Sequence, residues 1–297
     1  MLKTLGLALL VDEVIGEPPP LLHPVVWIGR LLDALEAHAP NRRRPRLAYG
    51  MLVATALPTV CAGLAALLER WTPWPIQAAW LSAAFAGRGL HAAAGRVEKA
   101  LREGRLDDAR CQARWLVSRP TSDLDAELLS AATIESLAEN LVDSWVAPLL
   151  VYAGFGLGGA YLYRATNTAD AMWGYRTPRY EQLGKGVAHA DDLLNWLPAR
   201  LSAVLLSLVG PNPRRSRAIW RRDACRTASP NAGQTMAAMA GALGVRLEKR
   251  GAYVLYPEGA RPGPDDIACA RRVVRRAMLL AAMLALSLRW AVVHRLP

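Results

Sequence analysis

Twenty-two consecutive uncharged residues, Leu47–Leu68, follow directly on the basic cluster NRRRPR at 41–46. As a helix this run is about 33 Å long, enough to cross a hydrocarbon core of about 30 Å. A buried helix of a soluble protein is the competing reading, and composition weighs against it. Hydrophobic residues make up 53% of the 297-residue chain, and mean hydropathy is positive. Ten Trp and eight Tyr stand against two Phe, a bias that suits amphipathic rings at a membrane interface. Glu69 and Arg70 then break the run, and a second uncharged segment, 71–87, opens with Trp71 and Trp74. Arg88, Arg96, Lys99, Arg102 and Arg105 come next. The pattern predicts a membrane hairpin with both ends in the cytoplasm. Leu2–Val11 is apolar but short, without the basic start or cleavage site of a secretory signal. His23, after the prolines at 18–20, falls in an ordered turn between two helices.

The stretch AATIESLAENLVDSWVAPLLVYAGFG, 131–156, carries Glu135, Glu139 and Asp143 at four-residue spacing, with Asn140 beside them. On a helix they share one face. Residues 144–163 are uncharged and contain Pro148 and glycines at 154, 156, 158 and 159. Such a segment permits a broken or closely packed span. Trp196–Gly210 and Ala277–Val293 are further apolar segments, each interrupted by one arginine. The fold expected is all-α: a polytopic integral membrane protein with four or five hydrophobic helical segments and helical cytoplasmic portions. Residues 1–297 read as one membrane-embedded domain with soluble-facing parts at 88–143 and 211–276. In the first of these, Ser122 and Asp125 resemble a helix cap.

Residues 163–200 form the densest polar and aromatic region. Asn167, Thr168 and Asp170 cluster; Arg176 and Arg179 alternate with Tyr175 and Tyr180; Asp191, Asp192 and Asn195 follow. Oxygen ligands of this kind suit Mg2+, and guanidinium groups suit phosphate or carboxylate. Asp191 and Asp192 also read as an N-terminal helix cap ahead of Leu193 and Leu194. Arg interleaved with Tyr also fits single-stranded nucleic acid, but no binding module accompanies it, so nucleic acid is not expected as a partner. Formal charge is +11, and residues 211–276 hold fourteen Lys or Arg against five Asp or Glu, marking a cytoplasmic face. The four cysteines are widely spaced and read as reduced thiols. No P-loop, dinucleotide fingerprint, HExxH helix or GxSxG elbow is present.

Four ordered blocks carry a resemblance: LVDEVIGEPPPLLHPVVWIGRLL at 10–32, AATIESLAENLVDSWVAPLL at 131–150, the 163–200 region, and SPNAGQTMAAMAGALGVRLEK at 229–249. Over nearly its whole length the chain resembles the adenosylcobinamide-phosphate synthase family of cobalamin biosynthesis, which are integral membrane proteins. The resemblance implies attachment of aminopropanol, or its O-phosphate, to a propionate of adenosylcobyric acid, giving adenosylcobinamide or its phosphate. A free carboxylate has a poor leaving group, so ATP and Mg2+ are the expected means of activation. Side-chain chemistry then suggests roles. Glu135 or Glu139, with Asn140, would orient or deprotonate the amine. Asp143, Asp191 and Asp192 would hold the metal. Arg176 and Arg179 would hold phosphate or neutralise charge on the corrinoid's side chains, with Asn167, Asp170 and Asn195 as further cofactor-binding residues. The two polar blocks are expected to share a cytoplasm-facing site in a multi-pass protein of the inner or plasma membrane. Expected partners are the corrinoid, the amine and the lipid bilayer, with a homo-oligomer or other corrinoid-pathway proteins beyond these. A transporter of corrinoids or other anions would use the same groups without forming product, and a membrane scaffold would need no site.

Overall fold

The computed structural model of the chain describes residues 2–295. In chain order its helices are α1 (Leu2–Val14), α2 (Pro24–Ala37), α3 (Arg43–Trp71), α4 (Trp74–Ser82), α5 (Gly87–Arg102), α6 (Leu106–Ala113), α7 (Ala126–Leu141), α8 (Ala147–Trp173), α9 (Lys185–Leu194), α10 (Trp196–Val209), α11 (Pro213–Asp223), α12 (Ala232–Leu243) and α13 (Pro264–Arg295). A π turn, Val142–Val146, joins α7 to α8. One short antiparallel hairpin, β1 (Leu247–Lys249) and β2 (Tyr253–Leu255), departs from an otherwise helical fold.

The fold is that of an all-α polytopic membrane protein. Among the described residues two helical runs are long and apolar enough to cross a bilayer: α3, and the 48-residue run Ala126–Trp173. A third qualifies if α9 and α10 are counted as one broken span. The second arm of the expected hairpin does not cross. Pro73 and Pro75 start a helix of nine residues, α4, about 14 Å long, and the chain turns at 83–86.

The chain divides into two compact units, each described by itself. The first comprises residues up to Ala86, Ala147–Asn195 and the chain from Leu284. Here α3 turns Leu52, Val60, Leu64 and Leu67 outward. A row of exposed apolar side chains on a 29-residue helix is a surface made for lipid rather than water. The inner side of α3, with Val53 and Leu57, packs against Ala165, Ala169 and Trp173 of α8. Gly158 lies so close to the Ala62 carbonyl that an added Cβ would crowd it, the small-residue packing that substitutes for a hydrophobic drive in lipid. His23 is the N-cap of α2, its Nδ1 accepting the Val25 N–H at 3.2 Å.

α8 is broken inside the apolar segment. Gly156 has φ 70° and ψ −160°, a backbone state reserved almost wholly for glycine. The helical hydrogen bond from Leu157 N–H to the Ala153 carbonyl is replaced at both ends. Leu157 N–H donates to Oε2 of Glu69 at 2.9 Å, and Nη1 of Arg289 donates to the Ala153 carbonyl at 3.3 Å. Glu69 and Arg289 stand 3.9 Å apart, so an ion pair fills the gap in the severed turn.

The second unit comprises Gly87–Val146 and Trp196–Met283, and so contains both 88–143 and 211–276. Asp125, rather than Ser122, caps α7, accepting Leu128 N–H at 2.9 Å. α7 is buried on nearly every side up to Ala138; Glu139 is exposed and Asn140 half-buried. α12 ends at Gly244, whose φ of 82° gives the left-handed C-cap that glycine favours.

Candidate functional site

In the second unit the four-residue spacing on α7 brings Glu135 and Glu139 into one cleft of about 100 Å³, lined also by Arg119, Ser136, Lys249 and Tyr253. Glu135 is buried. Its Oε2 accepts from Nη2 of Arg119 at 3.1 Å, while its Oε1 is buried without a hydrogen-bond partner. A buried carboxylate oxygen left open is costly, which makes it a place where a ligand's donor belongs. Lys249 and Tyr253 reach the cleft because they are directly paired across the hairpin, so their side chains leave the same face. The three-residue loop between them needs a left-handed residue, and Gly251 supplies it at φ 73°. Burial first, then the nearby Glu135 and Glu139, pushes the Tyr253 phenol well above the usual tyrosine range. It stays protonated and able to donate.

The hairpin is anchored from behind. Asp223, fully buried, accepts Tyr256 N–H at 2.8 Å and pairs with Arg222 and Arg226, each at 2.9 Å. Burial opposes its ionisation, but the Arg222 hydrogen bond and the Tyr256 amide hold its pKa below the usual carboxylate range. Tyr256 itself has φ 52°, an unusual value for a residue with a side chain, and the Asp223 contact holds it there.

Asn140 and Asp143 lie in the same unit but outside this cleft's lining. Asn140 turns back on its own helix, its Nδ2 donating to the carbonyl and Oγ of Ser136, both at 3.0 Å. Asp143 is half-buried in the π turn.

In the first unit the structure gathers Asn167, Asp191 and Asn195. Tyr163 donates to Oδ1 of Asn195 at 2.9 Å, Asn195 donates to one oxygen of Asp191 at 2.9 Å, and Asn167 donates to the other at 3.3 Å. Both Asp191 oxygens thus already accept amide hydrogens. Neither acid caps a helix start: Asp191 and Asp192 sit in the last turn of α9. Asp192 faces a different cleft, about 330 Å³, lined by Tyr175, Arg176, Tyr180, Lys185 and His189. Arg179 is drawn off to α2, where its Nε donates to Glu36 at 2.7 Å and its guanidinium stacks on Tyr180. Asp170 closes the end of α8 against Gly174, whose lack of a side chain makes room for it. Among the described residues no group of three or more His, Cys, Asp or Glu side chains is placed to hold a metal ion.

Comparison with known proteins shows the family of the chain. The sequence matches the family described as CobD/Cbib protein over residues 5–281. The chain belongs to the CobD/Cbib family. It is 42% identical over 302 residues to a protein of Chromobacterium violaceum named "Cobalamin biosynthesis protein CobD", with 95% of each chain covered. It is also 42% identical over 257 residues to the "Probable cobalamin biosynthesis protein CobD" of Methanothermobacter thermautotrophicus, covering 85% of this chain and 86% of that one. The Archaeoglobus fulgidus protein with the same name is 37% identical over 97% of this chain and 96% of its own. No solved structure matches.

Within this CobD/Cbib chain, sequence reasoning missed Arg119, Lys249 and Tyr253. A signal existed for the last two: the alternating residues Leu247–Lys249 and Tyr253–Leu255 flank Arg-Gly-Ala, which is a hairpin pattern.

Proposed function

We propose that this chain is a cobalamin-biosynthesis enzyme that joins aminopropanol, or its O-phosphate, to a propionate carboxylate of adenosylcobyric acid. The observation that carries this reading is the cleft with the open Glu135 oxygen. Its volume of about 100 Å³ admits a few-carbon amine but not a corrin ring. An alkyl amine arrives as an ammonium ion at neutral pH, as a lysine side chain does. The ammonium would donate to Glu135 Oε1 and to Glu139, and one of these carboxylates would take the proton that must leave before nitrogen can attack. Arg119 and Lys249 on the same cleft suit a phosphate, so a small amino-alkyl phosphate satisfies both signs of charge at once.

Magnesium and ATP form part of the proposal. Asp143, Asp191 and Asp192 do not fit as one protein-held metal set, since no such group is assembled among the described residues and Asp191 is occupied by two amides. Magnesium carried on phosphates needs only one or two carboxylates. Asp192, in the cleft with Arg176 and Lys185, fits that lesser role. A bound nucleotide would supply the phosphoryl or adenylyl group that turns a carboxylate oxygen into a leaving group. Arg176 and Lys185 would hold its phosphates, and the site would face the cytoplasm, where nucleotide is found.

The test is the mass of the corrinoid. Purified protein with adenosylcobyric acid, amine and Mg-ATP should raise it by the amine less one water. Glu135→Gln should lower turnover about 10²- to 10⁴-fold, the usual worth of a positioned acid or base. An unchanged corrinoid mass with wild-type protein would remove the synthase reading and leave a transporter.

A further inference from the structure

The exposed arginines of the second unit are mostly spoken for. Arg102 pairs with Glu98 and Asp265, Arg250 with Asp125, and Arg261 with Glu127. Arg114, Arg214 and Arg221 are open, as are Arg272 and Arg276, which lie together on α13. Both are exposed, and neither has a hydrogen-bond or ion-pair partner among the described residues. Four residues apart on a helix, they stack on one face about 6 Å from each other along the axis. Leu279 and Met283 continue that face, 60% and 55% exposed. The other side of the same helix carries Val273, Val274, Ala277 and Ala281, all buried. The outward face of α13 therefore changes from two open guanidinium groups to exposed apolar side chains within one turn.

That sequence of chemistries is the profile of a phospholipid read from headgroup to acyl chain. A guanidinium fork matches a phosphate geometrically and is lightly hydrated. The exposed apolar surface of Leu279 and Met283 suits an acyl chain. We propose that Arg272 and Arg276, in line with Leu279 and Met283, form a binding site for an anionic phospholipid on α13. Free phosphate would use the arginines and leave the apolar residues uncovered, and a zwitterionic lipid offers no net charge to either arginine. The lipid would hold α13 at the depth where its charged half meets its apolar half, independently of the reaction.

The experiment uses the full chain in mixed detergent micelles with phosphatidylglycerol or phosphatidylcholine, counting retained lipids by native mass spectrometry. Wild type should retain phosphatidylglycerol preferentially. Arg272→Gln/Arg276→Gln should lose that preference roughly 30-fold, about fivefold for each basic residue at an anionic surface. Arg250→Gln/Arg261→Gln removes the same charge elsewhere and should leave the preference in place. Thermal unfolding of each variant shows that both remain folded; if the α13 pair does not fold, Arg276→Lys keeps charge without the fork and should show a partial loss. Equal loss in the two double variants, or displacement of the lipid by millimolar inorganic phosphate, would overturn the proposal.

Discussion

The break in α8 gives the sharpest quantitative prediction, because each half of one severed backbone hydrogen bond has its own charged substitute. Glu69→Gln keeps an oxygen for Leu157 N–H but leaves Arg289 without its counter-ion. Arg289 is buried, its guanidinium 5.3 Å from the Tyr152 ring. Breaking one side of a buried pair costs about 3–5 kcal/mol. Arg289→Met should cost as much, since it strands Glu69 and also leaves the Ala153 carbonyl open. The double variant Glu69→Gln/Arg289→Met removes both charges. What remains is the unsatisfied carbonyl, about 1–3 kcal/mol, so the double variant should be more stable than either single one. Gly156→Ala attacks the same joint from the backbone: its Cβ would come within 2.6 Å of the Glu69 carboxylate, in a conformation costing about 1–3 kcal/mol without glycine. Unfolding by denaturing detergent, monitored by tryptophan fluorescence across the four-variant cycle, measures all of these. If the single variants lose less than about 1 kcal/mol, or if the double variant loses their sum, the pair does not replace the broken turn.

Three further outcomes are expected. Burial first, then Arg271 and Arg275, lowers the pKa of His91 to about 4, whereas an unfolded histidine titrates near 6.5. Unfolded chain therefore binds the proton more readily: stability is full above about pH 6.5 and falls by about 3 kcal/mol toward pH 4, a slope that His91→Gln should flatten in pH-dependent unfolding. Lys249→Met should raise KM for the phosphorylated amine about 10-fold or more while leaving KM for free aminopropanol nearly unchanged, and steady-state kinetics on the two amines separates them. Asp192→Asn should weaken the magnesium dependence of turnover, with Asp143→Asn as the comparison; a loss of activity that merely tracks loss of folded protein in either variant would remove that acid from the metal role.

Much of the fold was legible because long uncharged runs and helix breakers leave few physical outcomes. Leu47–Leu68 read as a membrane span over a buried soluble helix, and Pro148 with four nearby glycines permitted a broken or closely packed span, both of which α8 shows. The partner of that break was half visible: Glu69 and Arg289 each stood out as charges beside or inside apolar runs, yet nothing local joined residues 220 positions apart. The short α4 was not legible. The segment 71–87 is uncharged throughout, so its hydropathy does not mark the stop at Ser82.

The candidate site divides in the same way, along the reach of helical periodicity. Glu135 and Glu139 meet because i and i+4 share a face, and so do Asp191 and Asn195, joined at 2.9 Å. Asp191 and Asp192 invite treatment as a pair because they are adjacent, but consecutive helical residues point about 100° apart. One joins the Tyr163–Asn195–Asn167 chain while the other faces Arg176 and Lys185. Adjacency therefore separates these two acids, whereas the four-residue spacing that unites groups on α7 also unites Asp191 with Asn195 on α9. The cations follow neither rule. Arg119 comes from the loop before α7 and Lys249 from a hairpin more than a hundred residues later, so the charge balance at Glu135 is a property of tertiary structure alone. A search for acids by spacing will find the carboxylates in chains like this one, but not Arg119 and Lys249, the cations that line the same cleft.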